Sequence, residues 1–292
     1  MDLLAAITWD VKPEIFPLGF VTVRWYGLFF ALAFLIGQWI FFKIFKAEDK
    51  PEQDVETLTI YMVLATIIGA RLGHCLFYQP EIYLSNPIQI LKIWEGGLAS
   101  HGGAVGIFTA LYIYVNYNIK GTFFLGVIPY KFDVKKEKRP GQSYLWLLDR
   151  MAIVVALGGF FIRMGNLMNS EIVGVETDMP WGFIFTRLGD GIVRHPAQLY
   201  ESLSCLVLFF LLLNTWNKKK AQLQEGLMLG IFLIWVFGLR FLYEFIKVNQ
   251  VRFEDDLTLN MGQILSIPLV LAGIYLISRA KKATTKKDTI TS

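Results

Sequence analysis

The sequence predicts an all-α polytopic membrane protein with about seven spanning helices, its N-terminus outside and its C-terminus in the cytoplasm. Three observations carry this. Of the 292 residues 54% are hydrophobic and only 18% charged, a balance that suits a bilayer better than water. Apolar stretches long enough to cross about 30 Å of hydrocarbon recur near 20–42, 57–77, 98–117, 145–163, 198–214, 226–246 and 260–278. Basic residues also alternate by loop. The segments 43–56, 118–144, 215–225 and the tail from Arg279 hold 17 Lys and Arg against 8 in the intervening ones, which assigns the first set to the cytoplasm.

Taken in order, the opening MDLLAAITWD carries acids where a secretory leader would carry lysine or arginine. No small-residue cleavage pattern follows the first apolar run from Phe20 to Phe42, so that run is expected to stay. The fourth stretch is the weakest, because Asp149 and Arg150 sit near its start, where a charge pair can snorkel or pair. Residues 1–280 read as a single seven-helix domain, in which 118–144 is a basic cytoplasmic insertion expected as a peripheral hairpin or a disordered arm away from the site. KKEKRPG in that insertion and the 281–292 tail read as solvated basic stretches near anionic lipid, the tail disordered. No half of the chain repeats the other. The net charge of +4 lies in short loops rather than on one face, so no nucleic-acid partner is expected. Cys75 and Cys205 both fall in apolar runs and read as packing residues, not as a disulfide or a nucleophile.

Ionisable groups inside spanning segments are costly, about 3 kcal/mol for a central arginine on insertion scales, and each needs a reason. At 1.5 Å per residue from the cytoplasmic end, Arg71 and Arg240 lie roughly 21 Å up their helices, and Arg163 and Glu244 roughly 27 Å. The outer ends of the first, third and fifth helices bring Tyr26, His101, His195 and Glu201 to the same level. One polar site in the outer third follows if these helices face one another. His101 opens SHGGAVG beside two glycines that allow close approach of backbone or ligand, although a lone histidine at a helix end also suits an interface. RMGNLMNSEIVG packs Arg163, Asn166, Asn169 and Glu171 into nine residues, either as a site or as a helix cap pairing Arg163 with Glu171. Arg240 and Glu244, four apart, share one helix face, where an ion pair alone would explain them.

RWYG at 24–27, GARLG at 69–73, HGG at 101–103, R-x-G-N-x-x-N-x-E-x-x-G at 163–174, HPAQLYE at 195–201, Arg240 with Glu244, and MGQILSIP at 261–268 occur in this order along nearly the whole chain. The set resembles the prolipoprotein diacylglyceryl transferases. Two features depart from that family: Val236 stands where relatives often carry a tyrosine, and the 118–144 segment is longer than usual. The resemblance implies seven helices with an outside N-terminus in the bacterial inner membrane and a site toward the outer leaflet. It also implies transfer of diacylglycerol from phosphatidylglycerol to the lipobox cysteine of prolipoprotein signal peptides, with glycerol phosphate released.

Such a reaction displaces a phosphate from an unactivated glycerol carbon by a thiolate. A free thiol is only a few per cent ionised at neutral pH, and the leaving phosphate needs fixed cations. His101 is the first candidate for the base, with Glu244 behind it. Arg163 and Arg240 suit bidentate phosphate recognition. Asn166 and Tyr26 can donate hydrogen bonds to the headgroup, Glu171 would orient Arg163, and Gly174 would permit a tight exit of the chain. Arg71, Asn169 and His195 complete the expected substrate-binding set. No metal or other cofactor is expected, since no ligand spacing or Gly-rich phosphate loop is visible. A transporter would need access from both sides and usually shows paired halves with a midplane site. A lipid-binding assembly factor would use the same arginines as a clamp, and only His101 and Glu244 separate it from an enzyme.

Overall fold

Backbone polar groups in hydrocarbon must bond within their own segment, so each apolar run closes into a helix and irregular or paired strands are left to the connections. The computed structural model describes residues 6–18, 21–93, 96–124, 128–248 and 258–291. The first five residues of the opening segment and Arg252, counted among the basic residues of the outer segments, lie outside them. The helices are α1 (Trp25–Ala47), α2 (Gln53–Phe77), the short α3 (Pro80–Ser85), α4 (Ser100–Asn116), α5 (Tyr144–Met168), α6 (Ala197–Lys219), α7 (Leu227–Tyr243) and α8 (Met261–Thr291). All seven expected apolar helices are therefore present. Among the described residues six of them, α6 and α7 taken with the short turns that extend them, are long and apolar enough to cross a membrane. The seventh, α4, has 17 residues, about 25 Å of helix against about 30 Å of hydrocarbon. It stops where Tyr117 turns extended to begin a strand. Helix α8 continues into the stretch expected as the tail.

The chain divides into two units, one of residues 45–147 and one of the remainder. In the first, α2 and α4 meet backbone to backbone. A Cβ on Gly69 would lie 2.5 Å from the Gly102 carbonyl oxygen, and one on Gly73 would lie 2.7 Å from the Gly102 Cα. Spaced four apart as Gly69/Gly73 and Gly102/Gly106, these glycines form the small-residue seam by which helices associate in lipid, where no hydrophobic force drives them together. The Ala99 amide donates to the Ala70 carbonyl at 2.9 Å and ties the start of α4 to α2. At the far end of the pair, Asp54 accepts Arg139 at 2.6 Å and Gln142 at 2.7 Å, and Gln142 accepts the buried Tyr114 hydroxyl at 2.8 Å. The insertion is an antiparallel hairpin of β4 (Tyr117–Phe124) and β5 (Ile128–Lys136), the first of the two forms expected for it.

In the second unit, α7 and α8 pack through Gly230 and Gly273, a Cβ on Gly230 falling 2.9 Å from the Gly273 carbonyl. Helix α6 meets α5 through the Ser202 hydroxyl, which donates to the Phe160 carbonyl at 3.0 Å. Asp149 and Arg150 serve the α6–α7 turn instead of snorkelling. Both side chains are fully buried, the Asp149 carboxylate accepting the Gly226 and Leu229 amides at 2.6 and 2.8 Å and Arg150 donating to the Lys220 carbonyl. Free amides and the positive dipole end of α7 explain a carboxylate there. The strands of this unit lie outside the long helices. A sheet of β1 (Ile7–Trp9), β6 (Phe183–Phe185) and β7 (Val193–Arg194) sits against the end of α5, and β2 (Glu14–Leu18) pairs with β3 (Val21–Arg24). Trp9 closes α5 by donating its indole N–H to the Leu167 carbonyl at 3.0 Å, and Leu167, Phe183 and Phe185 bury one another beside it.

Candidate active site

The last turns of helix α5 carry Arg163 and Asn166, Asn169 follows its end, and the chain then turns back on itself. Ser170 and Ile172 hold left-handed backbone angles, φ 54° and 59°. For a β-branched residue such as Ile172 that conformation is strained by about 1–3 kcal/mol and persists only where surroundings enforce it. Here the Glu171 amide donates to the Asn166 carbonyl at 3.1 Å, and Gln198 of α6 donates to the Glu171 carbonyl at 2.6 Å. The turn places the Glu171 carboxylate where it accepts Asn166 at 2.7 Å and Asn169 at 3.2 Å. Asn166 in turn accepts an Arg163 Nη1 proton at 3.1 Å. Glu171 thus reaches Arg163 through Asn166, and the ion-pair partner of Arg163 is Glu201 of α6, not Glu171.

A second cluster joins the first. Glu201 also pairs with Lys247, and Lys247 lies 3.3 Å from Glu244 Oε1. Glu244 Oε1 is 3.5 Å from Arg240 Nε, and Oε2 accepts Asn260 at 3.2 Å. Five charged groups of alternating sign, Arg163, Glu201, Lys247, Glu244 and Arg240, therefore run from α5 through α6 to the end of α7. Glycine makes room for it twice. A Cβ on Gly262 would fall 2.7 Å from the Glu244 carboxyl, and one on Gly174 would fall 2.7 and 2.8 Å from the carbonyls of His195 and Ile246. Residues 173–175 pair along 246–248, the Val175 amide donating to the Ile246 carbonyl at 2.9 Å, which anchors the backbone that carries Lys247. Asn260 and Gln263 cap the start of α8 reciprocally at 3.0 and 2.9 Å and keep Asn260 aimed at Glu244.

Tyr26, in the first turn of α1, lies on the same unit with its ring against Gly165, where a Cβ would come within 2.6 Å of it. An open pocket of about 450 Å³ is lined by Arg24, Tyr26, Gly27 and Asn169 among others. His195 stands at the start of α6, its Nδ1 3.2 Å from the Tyr200 hydroxyl, which accepts the Trp181 indole N–H at 2.9 Å.

The other two expected residues belong to the unit of α2 and α4. His101 is exposed in the first turn of α4. Arg71 is 3% exposed, and its guanidinium donates to the carbonyls of Gln89, Ile90, Gly96 and Gly97, the last at 3.3 Å and the others at 2.5 to 2.9 Å, while Tyr83 covers its face at 4.9 Å. It holds the 87–97 connection to α2.

Sequence reasoning left out the middle of the ion chain. By sequence Lys247 falls among the loop charges, although its spacing of three from Glu244 continues the helical face. Glu201 has no role in the expected set. Both it and Gln198 belong to HPAQLYE and share one face of α6.

A family profile described as prolipoprotein diacylglyceryl transferase matches residues 13–279. Relatives named phosphatidylglycerol–prolipoprotein diacylglyceryl transferase include one from Chloroherpeton thalassium, 47% identical over 97% of this chain and 97% of its own. Two more are 42% identical, from Tolumonas auensis over 94% of this chain and 97% of its own, and from Porphyromonas gingivalis over 97% of each. With such a match over nearly all of its length, the chain belongs to the prolipoprotein diacylglyceryl transferase family.

Proposed function

We propose that this protein transfers the diacylglyceryl group of phosphatidylglycerol to the lipobox cysteine of prolipoprotein signal peptides, in the bacterial inner membrane. The observation that carries this is the joined cluster of Arg163, Asn166 and Arg240, cations and amide in one unit where a phosphate could be held. The thiolate attacks the glycerol carbon bonded to the phosphate oxygen. The new C–S bond forms as the C–O bond breaks, and the electron pair leaves with glycerol phosphate. Arg163 and Arg240 stabilise the charge that develops on that phosphate, Asn166 and Tyr26 bind the headgroup, and Glu171 holds Asn166 in place. His101 takes the thiol proton, with Glu244 as the alternative acceptor. The 17 to 8 asymmetry of basic residues supports an outside N-terminus, which puts the ends of α5 and α7 toward the outer leaflet.

The test is purified protein with phosphatidylglycerol and a lipobox peptide, without added metal or nucleotide. A thioether-linked diacylglyceryl peptide is the expected product. Tight binding of phosphatidylglycerol with no product would make the chain a lipid-binding factor instead.

A further inference from the structure

The ion chain contains one cation that neither reaches outward nor belongs to an arginine. We propose that Lys247 is a positioning residue of the transfer site. Its ammonium neutralises Glu201 and Glu244 together, and so shares Glu201 with Arg163 and keeps the guanidinium of Arg240 available to the lipid phosphate. This rests on the function proposed above.

The geometry around Arg240 points to it. Glu244 stands one helical turn from Arg240, the spacing at which a carboxylate normally captures an arginine. Arg240 Nε is nevertheless buried with no hydrogen-bond partner among the described residues, the nearer Glu244 oxygen being 3.5 Å away. The carboxylate is engaged elsewhere, by Lys247 on one oxygen and by Asn260 on the other. Glu201 is held in the same way between Lys247 and Arg163. The Lys247 side chain is only 7% exposed, so its interactions with both acids escape the screening that weakens surface pairs.

Without Lys247, two carboxylates and two arginines would remain, and each acid would draw on the nearest guanidinium. Glu244 would then close on Arg240 and Glu201 would bind Arg163 undivided, so the lipid phosphate would have to displace a full carboxylate charge at both arginines. With Lys247 present, one compact ammonium serves two acids from different helices, and its donors can rotate to both. Its backbone cannot drift, because residues 246–248 pair with 173–175.

The test measures transfer in vesicles of varied phosphatidylglycerol fraction, separating kcat from KM for lipid and for peptide. Lys247→Met should raise the KM for phosphatidylglycerol at least about tenfold and leave the KM for peptide nearly unchanged. Lys247→Arg should keep it within about threefold, and adding Glu201→Gln to Lys247→Met should recover part of the loss by removing the surplus negative charge. A Lys247→Met protein with the parent's KM for lipid would overturn the proposal. So would a double variant no better than the single one, since a merely structural lysine gains nothing from loss of the acid. Should Lys247→Met fail to accumulate, Lys247→Arg decides alone, and a rise of about tenfold in its lipid KM would overturn the proposal. Failure of the underlying function looks different, because the parent itself would then form no thioether.

Discussion

Arg71 and Arg163 both sit in apolar helices, and the two units satisfy them by opposite means. Around Arg71 the partners are four main-chain carbonyls of the 87–97 connection. Around Arg163 they are a carboxylate and a side-chain amide, Glu201 and Asn166. Main-chain partners exchange only if the loop unfolds, whereas side-chain partners can rotate and yield to a ligand. An arginine in a membrane helix thus has a scaffolding or a binding role according to what it touches, and depth in the helix alone does not distinguish the two.

The largest effect should come from Arg163→Ala. Transfer should fall by about 100- to 1,000-fold or more, with insertion and expression retained, as when one stabilising donor is removed from a transition state. Arg163→Lys should rescue poorly, because it keeps the charge and loses the fork. Parental activity of the lysine variant, assayed on the same peptide, would show that charge alone suffices.

His101 asks whether the glycine-packed unit also contributes chemistry. If His101 takes the thiol proton, His101→Gln should lose about 100- to 10,000-fold in rate, together with the acidic limb of the pH profile. An unchanged acidic limb would mean that the arginines ionise the thiol and that His101 only positions lipid.

Arg71→Met sharpens the comparison most directly. Each carbonyl left without a donor should cost about 1–3 kcal/mol, seen as a lower melting temperature in detergent and less folded protein. Activity per folded molecule should fall far less than in Arg163→Ala. An inactive but fully stable Arg71→Met protein would return Arg71 to the substrate-binding set.

A smaller effect is expected at Asp190, in the connection between β6 and β7. A hydrogen bond from Arg194 at 2.6 Å holds its carboxyl below the usual carboxylate range. A depressed folded-state value stabilises above the unfolded value, about 3.9, and the contribution fades as pH falls through the folded one. Asp190→Asn should therefore lower the melting temperature slightly at neutral pH, and the difference from the parent should shrink at acid pH. Smallest of all, Cys75→Ala and Cys205→Ala, singly or together, should retain activity. Cys75 is fully buried and Cys205 packs on Gly159, where a Cβ would meet its sulfur at 2.9 Å. A diacylglyceryl adduct trapped on Cys75 would replace direct transfer with a covalent route.

The apolar runs were legible because a helix in lipid must satisfy its own backbone and needs no distant partner to be recognised. The glycines of SHGGAVG were legible as sites of close approach, and Gly102 makes that approach backbone to backbone against Gly69, whose role the sequence did not reveal. The short strands β1, β6 and β7 were not, since segments of two or three residues carry no usable alternation and β1 finds β6 only at the far end of the chain, Ile7 against Phe183. Lys247 was missed for a related reason. A lysine beyond the last apolar residue looks solvated until the return of residues 173–175 and the face of α6 enclose it.

By itself the sequence determined the apolar helices and most of the charged residues of the ion chain, because hydropathy, residue type and ordered motifs are local properties. Tertiary structure alone decided which carboxylate meets which cation. Glu201 rather than Glu171 pairs with Arg163, and Glu244 turns toward Lys247 and Asn260 rather than closing on Arg240. Charge pairing in a buried site depends on a few ångströms of side-chain separation. Only the packing of α5, α6 and α7 and the left-handed turn at Ser170 and Ile172 set those distances.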